Sequence, residues 1–147
     1  MYTGLLHTHN MFRWLVLIFI VLAVVFGFIG WFNKRDWTKK DNITGLLLTI
    51  FMDIQFLVGI ILYAFVSPLT KAAFSDFGAA MKNSVLRFYA VEHILLMVIA
   101  LVLVHIGRSK SKKAVAPWKK HRAATIYFGI ALVLILVAIP WDRALFF

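Results

Sequence analysis

The sequence contains no cysteine. That excludes disulfides, thiolate metal centres, iron–sulfur clusters and covalently attached c-type haem. Acidic residues are scarce too, with six Asp and Glu against sixteen Lys and Arg, a formal net charge of +10. Proline occurs only three times, and no Gly/Ser linker, low-complexity tract or internal repeat divides the chain. Residues 1–147 therefore read as one domain. No nucleophile stands beside a base in any familiar spacing, and no long polar segment is present to bind a nucleotide, so the pattern argues against an enzyme.

Apolar residues are what the chain has in excess. They make up 63% of it, with a mean hydropathy of +0.89. An ordinary soluble domain holds about 45–50%. The excess is gathered into four runs, roughly 11–32, 43–66, 85–106 and 123–139. A helix needs about 20 residues to cross the hydrocarbon core, and each run is near that length. The runs lack the alternation of an outer-membrane barrel. The expected fold is all-α, a bundle of four transmembrane helices.

End signals agree with this division. Asp41 and Asn42 are candidate caps for the second helix, and Asn83 or Ser84 for the third. Pro117 suits the first turn of the fourth, Ser67-Pro68 closes the second, and Pro140 ends or kinks the fourth. The first run is too long for a signal peptide and shows no small-residue cleavage motif before Trp31, so it is expected to stay as a helix. The connection over residues 67–84 is expected to form a short surface helix, with Phe74 and Phe77 turned to lipid or a partner.

The positive charge sits between the runs, which points to orientation and anionic lipid, not to nucleic acid. Lys34, Arg35, Lys39, Lys40, Arg108, Lys110, Lys112, Lys113, Lys119, Lys120 and Arg122 fall on one side. Lys71, Lys82, Arg87, Arg143 and Arg13 fall on the other. The positive-inside rule then predicts cytoplasmic basic loops, with both termini on the outer, periplasmic side. Asn42-Ile43-Thr44 matches a glycosylation acceptor, but on the predicted cytoplasmic side it carries no meaning.

Within such runs the polar residues are the informative ones, because facing lipid is costly and they tend to turn inward. They are His7, His9 and Arg13 on the first helix, Asp53 and Gln55 on the second, Glu92, His93 and His105 on the third, and His121 at the start of the fourth. Topology places His7, His9, Arg13, Glu92 and His93 in the outer half, and His105 and His121 at the inner interface. His7 and His9 are about 200° apart around a helix, so only one can face the bundle. His9 and Arg13 share a face, and His93 shares one with Tyr89, Leu96, Met97 and Ala100. Glu92 points elsewhere, toward a pairing with Arg13 that would spare both charges isolation.

This pattern suits a b-type haem, whose iron takes axial imidazoles and whose propionates need donors near the surface. His93 with His9 or His7 would be the iron ligands, Arg13 a propionate partner, and Phe12, Trp14, Tyr89 and Ala90 the walls. A second, inner site between His105 and His121 is the matching expectation on the cytoplasmic side. Against it, twelve residues from His93 to His105 rotate the two by about 120°. Plainer readings stand beside these. His7, His9, His105 and His121 lie near water, where amphipathic side chains are common. His93 has the alternative of a hydrogen bond to another helix. Asp53 has three: protonation, pairing with a histidine or arginine, or a proton path. Depth also opposes the haem pair. If the helices sat level, His9 and His93 would differ by about 10–15 Å along the membrane normal.

Three segments carry a resemblance: MYTGLLHTHNMFRW at the start, QFLVGIILYAFVSP over 55–68, and AMKNSVLRFYAVEH over 80–93. With them the chain resembles, over nearly its whole length, small four-helix bacterial membrane proteins, common in Bacteroidota, labelled cytochrome B or cytochrome b-like. The resemblance implies a bacterial inner-membrane protein with haem b, and points to His7, His9, Arg13, Glu92 and His93. It also implies a histidine where this chain has Asp53. Two readings of function follow. One is a small haem protein passing electrons in a respiratory chain. The other is a haem-free accessory subunit packed into a larger membrane complex or a homo-oligomer. A proton-conducting role resting on Asp53 is a third.

Overall fold

The computed structural model describes residues 1–143, so the last four residues of the expected domain lie outside it. The described residues form helices and connections, with no strand among them. We number them α1 (Tyr2–Phe32), α2 (Lys39–Val66), α3 (Pro68–Ser75), α4 (Phe77–Ala80), α5 (Ser84–Lys113) and α6 (Pro117–Ala138). Four of these, α1, α2, α5 and α6, are long and apolar enough to cross a membrane.

The expected boundaries need three corrections. α1 begins at Tyr2, nine residues before the apolar run, because nothing in YTGLLHTHN breaks a helix. α5 likewise runs on to Lys113, past the end of its apolar stretch. The cap of α2 is Thr38, not Asp41 or Asn42. Asp41 is the third helical residue and its carboxylate accepts from the Thr38 backbone N–H and hydroxyl, both at 2.9 Å. The same carboxylate takes a two-pronged bond from Arg35 at 2.7 and 2.9 Å, which ties the α1–α2 turn together. The remaining end signals act as expected. The Asn83 side chain accepts from Val85 and Leu86 N–H, Pro117 opens α6, and α6 stops at Ala138, ahead of Pro140. α3 and α4 form the surface segment, where Phe74 and Phe77 are exposed and stacked 5.8 Å apart.

The α1–α2 turn shows local strain. Arg35 N–H reaches back to the Gly30 carbonyl, the closing bond of a left-handed helix end, and Lys34 sits at its αL position with φ 53°. A lysine there pays a steric penalty that glycine avoids. Lys34→Gly is expected to stabilise the fold by up to about 1 kcal/mol. Thermal unfolding in detergent would show it, and an unchanged or lower midpoint would refute it.

The four long helices pack in the ring α1–α2–α5–α6, with the α2–α5 seam the loosest. Small residues let α6 approach closely: Ala124, Ala131 and Ala138 are buried along it, and the first two pack in one core with Ile20 and Ala23 of α1 and Ala100 and Val104 of α5. At the end of the core nearer the basic loops, Phe128 fills the space beside Gly107.

Two wide helical turns shape the end of the bundle away from the basic loops, Leu62–Val66 at the end of α2 and Phe88–Glu92 in α5. A turn of this kind frees carbonyls from the helical ladder, and freed carbonyls need other donors. Here hydroxyls supply them. Tyr63 donates to the Ala90 carbonyl at 2.7 Å, and buried Thr70 donates to the Tyr63 carbonyl at 2.7 Å. The two wide turns are thereby joined, and His93 follows the second directly.

Candidate functional site

The half of the bundle away from the basic loops encloses a cavity of about 370 Å³, within the size range of ligand sites. Each long helix contributes one face. Tyr2, Leu6, His9, Arg13 and Val16 come from α1, and Met52, Gln55, Phe56, Gly59 and Tyr63 from α2. Tyr89, His93 and Met97 come from α5, and Ile135 from α6, with Ile139, Pro140 and Arg143 beyond its end. The lining is mostly apolar, and its polar groups are few and convergent.

His9 and His93 meet here. Their ring centres are 6.4 Å apart and their planes cross at 68°. The early start of α1 carries His9 into the bundle at the depth of His93, which removes the expected mismatch in depth. His7 lies on the opposite, exposed face. His93 Nδ1 donates to the Ala138 carbonyl at 2.7 Å, since a carbonyl can only accept. That fixes the tautomer and leaves the lone pair on Nε2. The Ala138 carbonyl is available because Pro140 follows and α6 ends there.

His9 Nδ1 and Gln55 Oε1 are buried and make no hydrogen bond among the described residues. Gly59 makes room for the His9 ring: a Cβ there would stand 3.1 Å from His9 Cε1. Arg13 is buried on the cavity wall, with Asn10 Oδ1 at 3.5 Å, and the Arg143 guanidinium lies over the Tyr89 ring at 4.9 Å. Two cations thus border a chamber that contains two imidazoles.

Two imidazoles with arginine and tyrosine donors around an apolar chamber are side chains of the type that a b-type haem takes. The imidazole ring centres lie 6.4 Å apart, and the pair is the number and kind of donor that a haem iron takes. The His93–Ala138 bond is the kind of outer contact that orients a ligating imidazole. Arg13, Arg143 and the Tyr89 hydroxyl are donors of the type that propionates need.

Other expectations are corrected. Glu92 does not meet Arg13; it pairs with Arg87 at 2.7 Å, both about half exposed, because the wide turn at Phe88–Glu92 swings it away from the cavity. Of the four expected walls, Tyr89 lines the chamber, whereas Phe12, Trp14 and Ala90 do not. Phe12 packs on Phe51 instead.

The inner site between His105 and His121 does not form. His121 is not interfacial but wholly buried, with Nε2 3.0 Å from the Arg35 carbonyl and 3.2 Å from that of Asp36. It clamps the α1–α2 turn beside Trp37, 5.0 Å between ring centres. His105 is exposed on the far side of α5, bonded to Asp53 at 2.6 Å. Asp53 accordingly faces out of the bundle, and of the two polar residues on α2 only Gln55 reaches the cavity. Gly59, Tyr63 and Arg143 were not anticipated. Gly59 and Tyr63 share the helical face of Met52, Gln55 and Phe56, which is the signal that could have found them.

No family model matches the chain, nor does any curated protein or solved structure.

Proposed function

We propose that this chain is a small haem b protein of a bacterial inner membrane that carries single electrons in a respiratory chain. The observation that supports it is the His9–His93 pair, 6.4 Å between ring centres, on the wall of an apolar chamber bordered by Arg13 and Arg143. When bound, haem b would supply a one-electron couple whose potential follows its axial ligands and surroundings. His93 and His9 would hold the iron, the former through Nε2 with Nδ1 anchored on Ala138. Arg13 and Arg143 would hold the propionates, and the Met52, Met97 and Ile135 side chains would keep water from the ring.

Charge supports the placement in the membrane. The basic loops at the α1–α2 and α5–α6 ends would lie in the cytoplasm, with both termini and the cavity toward the periplasm. Electron exchange would then occur near the outer surface.

The test is a reduced-minus-oxidised absorption spectrum of protein purified from haem-replete membranes. A sharp α-band of b type is expected. A colourless protein that copurifies with a larger complex would sink this reading in favour of the haem-free accessory subunit.

A further inference from the structure

Among the described residues, the lipid-facing stripe of α1 is apolar throughout, with Ile18, Val21, Leu22, Val25 and Phe28 exposed. That of α6 is the same, with Ile126, Ile130, Val133 and Val137. The face formed by α2 and α5 differs. Leu46, Ile50, Asp53 and Leu57 follow one another at spacings of three and four on α2, and Val98, Val102 and His105 do so on α5. Asp53 and His105 are half exposed on this face and bond to each other at 2.6 Å. Asp53 stands ten residues past Ile43, where its apolar run begins, about 15 Å along the helix within a hydrocarbon core of about 30 Å. His105 lies three residues before Arg108, so the pair sits in the part of the span nearer the basic loops. Neither side chain has another hydrogen-bond partner among the described residues.

The pair is self-complementary. In a low-dielectric setting a neutral total is favoured, either as imidazolium with carboxylate or as imidazole with carboxylic acid. In both forms His105 Nδ1 keeps a hydrogen to donate and Asp53 Oδ2 keeps lone pairs to accept. One donor and one acceptor side by side are what a two-fold axis requires, since residue i then meets j and j meets i. An axis along the membrane normal keeps both copies in the same orientation. Lipid tails supply neither partner.

We infer that the α2–α5 face is the contact surface of a homodimer, in which two Asp53–His105 pairs close into a four-membered hydrogen-bonded ring flanked by Leu46, Ile50, Leu57, Val98 and Val102. The inference is independent of haem binding, because the face lies outside the cavity.

The native chain has no cysteine, so single cysteines report cleanly. Val115→Cys lies in an exposed connection and accepts donor or acceptor dyes. Energy transfer between labelled full-length chains in liposomes, followed on dilution with lipid, measures dimer formation. The expected result is a dimer that weakens at least tenfold in the Asp53→Leu/His105→Leu double variant, which leaves no lone charge to disturb folding. The exchanged variant Asp53→His/His105→Asp retains the self-complementarity and is expected to associate again. Oxidative cross-linking of Ile50→Cys or Leu57→Cys is expected to give covalent dimer, and Val25→Cys on α1 to give none. A monomer at every dilution overturns the inference, as does a double leucine variant that associates as well as wild type. Cross-linking of Leu57→Cys in native membranes to a chain of different mass overturns it too, and assigns the face to another membrane protein.

Discussion

If the chain holds haem b as proposed, His93→Ala is expected to abolish the b-type α-band while the four-helix bundle persists. The side chain bonds to the Ala138 carbonyl and its ring meets those of His9 and Phe88. Its loss leaves that carbonyl unsatisfied and costs about 1–3 kcal/mol, too little to unfold a bundle of this size. Loss of an axial ligand, in contrast, removes a direct bond to iron. Added imidazole is expected to enter the vacated space and restore part of the band, a rescue that a purely structural role would not give. His9→Ala should have the same spectral effect. Gly59→Val should weaken the band without touching either ligand, because the added methyls meet the His9 ring. His7→Ala should leave the band unchanged, since His7 faces outward. If the band survives in both His93→Ala and His9→Ala, the ligand assignment fails. If His7→Ala removes it equally, the assigned geometry fails.

The fold was largely legible because its signals are local. Run length and apolar excess identify four helices, and Asn83, Pro117 and Ser67-Pro68 mark ends through chemistry that acts within one turn. The start of α1 was not legible from hydropathy. Hydropathy reports contact with lipid, whereas a helix continues wherever the backbone can bond, and α1 does so for nine residues before its apolar run. That one difference decides whether His9 and His93 are neighbours. α5 shows the same at its C-terminal end, where Ser111 and Arg108 are buried in a stretch that reads as polar loop. Arg108 reaches Asn42 on α2 at 2.8 Å.

The site was legible by residue type and less so by partner. His9, His93, Arg13 and Gln55 do line one chamber, and the 100° periodicity of a helix separates His9 from His7 and Gln55 from Asp53. Partners across helices were misjudged wherever the backbone leaves the ideal helix. The wide turn before His93 rotates Glu92 out to Arg87, and no residue pattern marks such a turn in advance. His121 shows the other failure. Its position at a helix start beside lysines suggests an interface, yet the preceding α1–α2 turn folds over it and supplies two carbonyls. That is a tertiary effect with no signature in the residues around His121.

The same histidine sets the second large expectation, that Gly30→Ala destabilises the bundle by about 1–3 kcal/mol. A Cβ at Gly30 would overlap the His121 ring, with Cε1, Nδ1 and Nε2 all too near. The ring has nowhere to go: it is wholly buried, tied to the Arg35 and Asp36 carbonyls, and packed against Trp37. Relief requires either moving α1 away from α6, which opens the Ile20–Ala124 core, or expelling the ring and leaving the two carbonyls without their donor. Overpacking of this kind costs about 1–3 kcal/mol, and loss of a buried hydrogen bond a similar amount. Gly129→Ala is the control, because its Cβ would meet nothing within 4 Å and alanine favours the helix. Thermal unfolding in detergent should therefore place Gly30→Ala well below wild type and Gly129→Ala at or above it. The double variant Gly30→Ala/His121→Ala should lose less than the sum of its single changes, because removing the ring removes the clash. Equal midpoints for Gly30→Ala and Gly129→Ala, or strict additivity in the double variant, would show that His121 does not fill the space beside Gly30.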